Sequence, residues 1–170
     1  MGVDVFQALE VKELKISDGG SLTRLNQMFH VTAKCGHIGA TAGWLTNGDT
    51  GAVQLPASQT DSTFIIPLGF LKEGWVMDHW RLDGQMDSAG NDVTLIASLR
   101  KMISLTGVVN DTEVDSILVP TKSADYKIVE DSTFAPELIG EGFYYVRISA
   151  LTNANTNVDF MGVRIRVKEM

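Results

Sequence analysis

The sequence predicts an all-β fold, an antiparallel β-sandwich or jelly roll with an extended N-terminal arm, and three observations carry that prediction. First, apolar and polar residues alternate in short runs from residue 63 to residue 167, most plainly in 143–150 (FYYVRISA), 93–102 (VTLIASLRKM) and 161–168 (MGVRIRVK). A period of two marks a strand with one face in a core. Second, turn residues punctuate these runs at close spacing, so many short strands must close on one another to limit exposed edges. Third, the chain has 170 residues, of which 44% are hydrophobic and 21% charged. That is the make-up of one globular domain, and at this length folding removes roughly 70% of the extended chain's surface.

Taken in order, residues 3–16 (VDVFQALEVKELKI) begin with alternation at Val3 and Val5 and drift into helix formers. They are read as an arm over residues 1–16, with residues 17–170 forming a single sandwich domain. SDGGS at 17–21 is a turn, because paired glycines accept positive φ. In 27–35 (QMFHVTAKC), Phe29, Val31, Ala33 and Cys35 share one parity, which predicts a strand with its Cys35 side buried. Residues 36–51 hold five glycines and the turn signal Asn47-Gly48-Asp49, and form the longest loop. Residues 62–70 (STFIIPLGF) put Phe64, Ile66, Leu68 and Phe70 on one face. Pro67 has no N–H for a ladder, so that strand belongs at an edge or a bulge.

Lys72-Glu73-Gly74 turns the chain into 75–82 (WVMDHWRL), where Val76, Trp80 and Leu82 face inward and Asp78 interrupts their face. Residues 83–92 (DGQMDSAGND) read as a hairpin loop, after which Val93, Leu95, Ala97 and Leu99 share a face. Strand 75–82 is therefore expected to pair with 93–102. A loop at 107–112 and strands at 114–119 and 126–129 follow, and Pro136 opens a helical turn over Glu137, Leu138 and Ile139 that Gly140 ends. A second hairpin is expected to join 143–151 to 158–167 around TNANTN. The last strand changes phase between Phe160 and Met161, which predicts a β-bulge at Gly162.

The net charge of -7, from 14 basic and 21 acidic residues, speaks against nucleic acid as a partner, since a phosphate backbone is bound by displacing its counterions with cations. No run approaches the roughly 18 apolar residues of a membrane span. The N-terminal MGVDVFQALEVKEL carries acids where a signal peptide has a basic start and an apolar middle. A protein made in a cytoplasm is expected. The single cysteine, Cys35, excludes an intrachain disulfide.

Candidate chemistry is sparse. Cys35-Gly36-His37 is the one Cys/His cluster, with His30 and His79 standing alone, and zinc needs three or four ligands, so neither a metal site nor a cofactor is expected. Asp83, Asp87, Asn91 and Asp92 offer the oxygens calcium uses, but not at the spacing of an EF-hand loop. Glu113/Asp115 and Glu130/Asp131 are carboxylate pairs of the kind glycosidases use and ordinary surfaces also carry. There is no G-x-S-x-G, H-E-x-x-H or G-x-G-x-x-G. No enzymatic activity is expected. Of the aromatic residues, Trp44, Trp75 and Trp80 would suit sugar-stacking platforms, against the commoner reading of core tryptophans.

Three stretches, LPASQTDSTFIIPLGFLKEGWVMDHWRLDG, GNDVTLIASLRKM and GFYYVRISALTNANTNVDFMGVRIRV, together resemble small β-sandwich proteins of tailed-phage virions. The likeness covers about residues 55–167 and lies in strand and turn texture; residues 29–44 depart from it. It implies a capsid decoration or cement protein, made in the host cytoplasm, held in the virion, homotrimeric and bound to the major capsid protein. Under that reading Val3, Val5 and Phe6 of the arm are interface residues. The alternative it implies is a tail or fibre module binding a host receptor or glycan, with Trp44 in the glycan site.

Overall fold

A computed structural model describes residues 26–33, 37–38, 44–46, 52–59, 62–88, 94–105, 107–119, 126–152 and 156–169. The arm with Val3, Val5 and Phe6 lies outside these residues, as do Cys35, Asn91 and Asp92. The described chain is β1 (Asn26–Thr32), β2 (His37–Ile38), β3 (Leu45–Thr46), β4 (Val53–Leu55), β5 (Ser62–Pro67), β6 (Trp75–Ser88), β7 (Thr94–Leu105), β8 (Val108–Val119), β9 (Tyr126–Leu138), β10 (Phe143–Leu151) and β11 (Thr156–Glu169). Two antiparallel sheets result. One runs β3-β4-β11-β6-β9 with β1 also paired to β11, and the other runs β2-β5-β10-β7-β8.

The pairing follows one rule. β7 pairs β8, β6 pairs β9, β5 pairs β10 and β4 pairs β11, so residues 53–169 form a two-stranded ribbon nested about the β7–β8 turn. Alternate rungs of that ribbon fall in opposite sheets, and β6·β11 and β7·β10 knit them together. This is a jelly roll, an antiparallel β-sandwich.

The core lies between the sheets, built from residues the alternation had placed inward. Phe64, Ile66 and Leu68 are buried, as are Leu95, Ala97 and Leu99, and Tyr144, Val146, Ile148 and Ala150. Facing them from the other sheet are Met77, Trp80, Leu82, Met86, Val158, Phe160, Val163 and Ile165, all fully buried or nearly so. Apolar burial on this scale is what orders an otherwise staple-free chain.

Gly162 is where the ladder shifts register, between Phe160 and Gly162, so the predicted bulge is present and keeps both Phe160 and Val163 in the core. β4 pairs β11 over 158–160 and β1 takes the same edge over 162–168. At this junction β1 crosses so close that a Cβ on Gly162 would lie 2.2 Å from the Val31 carbonyl oxygen.

Several expectations are corrected. Strands 75–82 and 93–102 do not pair, and neither do 143–151 and 158–167: each couple lies in opposite sheets, joined by a crossover instead of a hairpin. β6 continues to Ser88, so residues 83–88 are strand, not loop. β8 begins at Val108, and the expected 107–112 loop is reduced to a tight turn. β9 runs through Pro136 to Leu138 in place of a helical turn. Pro136 fits there because β9 is a sheet edge and its register slips between the Met77–Glu137 and His79–Thr133 pairs, where no proline N–H is needed. The same irregularity turns Met77 inward and leaves Val76 partly exposed, with Asp78 on the outer face.

Candidate functional site

Three elements meet at one end of the sandwich: the start of β1, the start of β6 and the end of β11. The turn before β6 is fixed by backbone hydrogen bonds, with the Gly74 N–H donating to the Ile139 carbonyl at 2.8 Å and the Ile139 N–H to the Trp75 carbonyl at 2.7 Å. Gly74 has a φ of 85°, which a side chain would oppose. Trp75 is thereby held as the first residue of its strand, packed against the core and only partly exposed.

Its ring joins a stack. Phe29 lies 4.8 Å from Phe70 and 5.8 Å from Trp75, with interplanar angles of 30° and 27°. The Lys72 ammonium sits 5.4 Å from the Trp75 ring centroid, a cation–π contact that steadies both side chains. Around this stack opens a cleft of about 290 Å³ lined by Gln27, Phe29, Lys72, Trp75, Val167 and Glu169. The floor is aromatic and aliphatic, while an amide, an ammonium and a carboxylate stand at its rim. Small-molecule sites run from roughly 300 to 1,000 Å³, so this one has room for a single ring, not a long chain.

The other two tryptophans are buried. Trp80 is fully buried and its indole N–H donates to Asp115 Oδ2 across the sandwich at 2.6 Å. Trp44 is 2% exposed, packed against Phe64 at 5.6 Å. Trp44, expected in the glycan site of a tail or fibre module, lies among the buried residues of the core.

The carboxylates singled out in the sequence are engaged elsewhere. Asp83 accepts hydrogen bonds from Arg81 Nε at 2.9 Å and Arg164 Nε at 2.8 Å on the outer face of the β6 sheet, so it is a strand residue in an ion pair and not a ligand at a loop tip. Asp78 accepts from Arg166 Nε at 2.7 Å and from Lys168. Burial pushes the Asp78 carboxyl up, but those two donors outweigh it and hold it below its ordinary value. Glu113 pairs with Arg100 at 3.3 Å while Asp115 turns inward to Trp80, because a register shift between Leu99 and Arg100 separates them. Asp131 pairs with His79 at 3.2 Å on the outer face, and Glu130, opposite Leu82, points the other way. Neither pair converges on a common point. No group of three or more His, Cys, Asp or Glu residues suited to a metal occurs among the described residues.

Phe29 and Phe70 had been assigned to core faces, and Gln27, Lys72 and Glu169 had not been singled out. The one signal for the cleft in the sequence is Trp75 placed directly after a glycine turn, at the mouth of a strand.

No protein-family model matches the chain, and no curated protein matches it. Solved structures of similar shape include a family two carbohydrate esterase from Cellvibrio japonicus, at TM-score 0.43 and 11% identity, covering 84% of this chain and 34% of that one. The CBM36-1 domain of a multidomain xylanase from the hindgut metagenome of Trinervitermes trinervoides matches at TM-score 0.47 and 12% identity, over 82% of this chain and 96% of that one. The enzymatically active domain of tailspike protein 4 from bacteriophage CBA120 matches at TM-score 0.42 and 10% identity, over 82% and 19%. This chain spans about a third of the esterase and about a fifth of the tailspike domain. Likenesses at this level go no further than the sandwich itself, and what these proteins bind or cleave does not transfer with it.

Proposed function

We propose that this sandwich is a non-catalytic binding domain that takes one sugar ring of a glycan in the cleft at Trp75. The observation that carries the reading is the partly exposed Phe29–Trp75 stack with Gln27, Lys72 and Glu169 at its rim. A sugar ring has an apolar face of C–H groups and an equatorial belt of hydroxyls. Partly exposed aromatic side chains pack against the first, and an amide, an ammonium and a carboxylate give the donors and acceptors that fix the second. One carboxylate at the rim is too few for the acid and base pair of a glycosidase.

Of the two virion roles implied by the resemblance, this cleft supports the receptor-binding tail or fibre module over shell decoration. The decisive measurement is binding to a panel of bacterial surface glycans, followed by calorimetry on the best ligand. Trp75→Ala is expected to weaken binding at least tenfold with the β-sheet circular dichroism unchanged, and Trp75→Phe to retain part of it. The wild-type protein should release no product from the bound polysaccharide. Undiminished binding by Trp75→Ala, or turnover of the ligand, overturns the proposal. Within a particle, a few dozen copies or fewer agree with it and hundreds do not.

A further inference from the structure

The cleft at Trp75 is followed by two more across the same end of the sandwich. One of its walls is the turn at 69–74: Lys72 lines this cleft, while the flanking Leu71 and Glu73 line a second one of about 320 Å³. The far wall of the second cleft is the crossover from β9 to β10, and its floor is core, with Leu68 and Ile139 both buried. Beyond that crossover opens a third cleft, of about 300 Å³, which shares Glu141, Gly142 and Phe143 with the second and is bounded on its other side by the β7–β8 hairpin.

Three features suit this row to one chain of sugars. Aromatic rings stand at both ends: Trp75 in the first cleft and, in the third, Phe143, which is 43% exposed and stacked on Tyr145 at 6.3 Å. Between them Glu73 and Glu141 are exposed carboxylates, acceptors for hydroxyl groups. The walls are low as well. Gly69 and Gly74 on the first, and Gly140 on the second, have nothing within 4 Å of where a side chain would begin.

We propose that the three clefts together bind a neutral, linear glycan of at least three rings, about one ring to each, since each volume lies at the lower end of what small-molecule sites span. The inference rests on the glycan reading of the Trp75 cleft and extends it to the length and charge of the ligand. Length matters because a chain held at several points loses its translational freedom only once, so each further ring adds affinity at a smaller entropic cost. Charge selects against acidic chains. Among the described residues that line the three clefts, Glu73, Glu141 and Glu169 are carboxylates and Lys72 alone is a cation, so uronic acids or phosphates would meet like charge.

Titration of the full chain with fragments of one, three and five rings, cut from the polysaccharide it binds best, tests the proposal. The dissociation constant is expected to fall about tenfold or more from one ring to three. Phe143→Ala removes the far aromatic ring, and Gly140→Leu raises the second wall at a position whose backbone accepts a side chain. Each should weaken the five-ring fragment about tenfold and flatten the gain with length, with the circular dichroism unchanged. The selected polysaccharide should be neutral, and an acidic one overturns the proposal. So does a gain with length that survives either substitution. If five rings bind no tighter than one while Trp75→Ala still weakens the single ring, this inference alone fails. If Trp75→Ala leaves the single ring bound as before, the reading of that cleft fails and this inference with it.

Discussion

Replacing Gly162 by alanine tests how the bulge, β1 and the cleft depend on one another. The added Cβ would lie 2.2 Å from the Val31 carbonyl oxygen and 3.0 Å from the Thr32 Cα. Ordinary contact needs about 3.5 Å, so β1 must withdraw by about 1 Å or Gly162 must leave its φ of 151°, a region side chains resist. Backbone strain of this kind costs roughly 1–3 kcal/mol. Phe29 and Val31 are only partly buried, so loosening them adds about 1–2 kcal/mol, some half of what full burial of such side chains is worth. A loss of about 2–5 kcal/mol follows, a fall in Tm of about 4–20 °C for a domain of this size. Because β1 also carries Gln27 and Phe29, ligand affinity at the cleft should fall with stability. The control is Gly69→Ala, where nothing lies within 4 Å of the new Cβ and the change should stay within about 0.5 kcal/mol. Urea denaturation of the three proteins decides the matter. If Gly162→Ala matches Gly69→Ala, the close crossing of β1 over the bulge is wrong.

Two further outcomes can be read from denaturation curves. Asp115→Ala leaves the fully buried Trp80 indole N–H without its acceptor and should cost about 1–3 kcal/mol, whereas Asp115→Asn keeps a carbonyl oxygen in reach and should cost less; equal losses would remove the inter-sheet bond from the account. The Asp78 carboxyl is held below its ordinary value of 3.8 by Lys168 and Arg166, against the push of burial. A depressed folded-state pKa gives stability that is present above the unfolded value and lost as pH falls through the folded one. The stability gap between wild type and Asp78→Asn should therefore narrow below about pH 4, and a gap that stays constant down to acid unfolding would contradict the pairing.

What was legible in the sequence was the inside and outside of most strands, and what was not was their partners. Alternation fixed the buried sets at 64, 66 and 68, at 95, 97 and 99, and at 144 to 150, because it depends only on one strand lying on one core. Partnering depends on the connection. A stretch of five residues such as 89–93 can turn a hairpin, and at roughly 3.4 Å per residue it can as well cross the roughly 10 Å between two sheets. Nothing local distinguishes these, so 75–82 and 93–102 were paired when the nested ribbon sends them to opposite sheets. Pro136 misled for a related reason: it suits the first turn of a helix and an edge strand equally, and only the slip in register beside Met77 shows which.

The same logic explains the tryptophans. Trp75 and Trp80 lie five residues apart on one strand, yet one is partly exposed and the other fully buried. Residue type and pattern are alike for both; their places along β6 differ. Trp80 stands mid-strand beneath the second sheet, opposite Ile165, whereas Trp75 is paired with Glu169 where β11 runs out. A side chain at that level has core on one side and, among the described residues, no further strand on the other. Exposure of an aromatic residue at the open end of a sandwich is therefore set by where its strand partners stop, which is a property of the assembled sheets. The cleft exists because β1, β6 and β11 end together there, with Phe29, Trp75 and Glu169 brought to one rim from three distant parts of the chain.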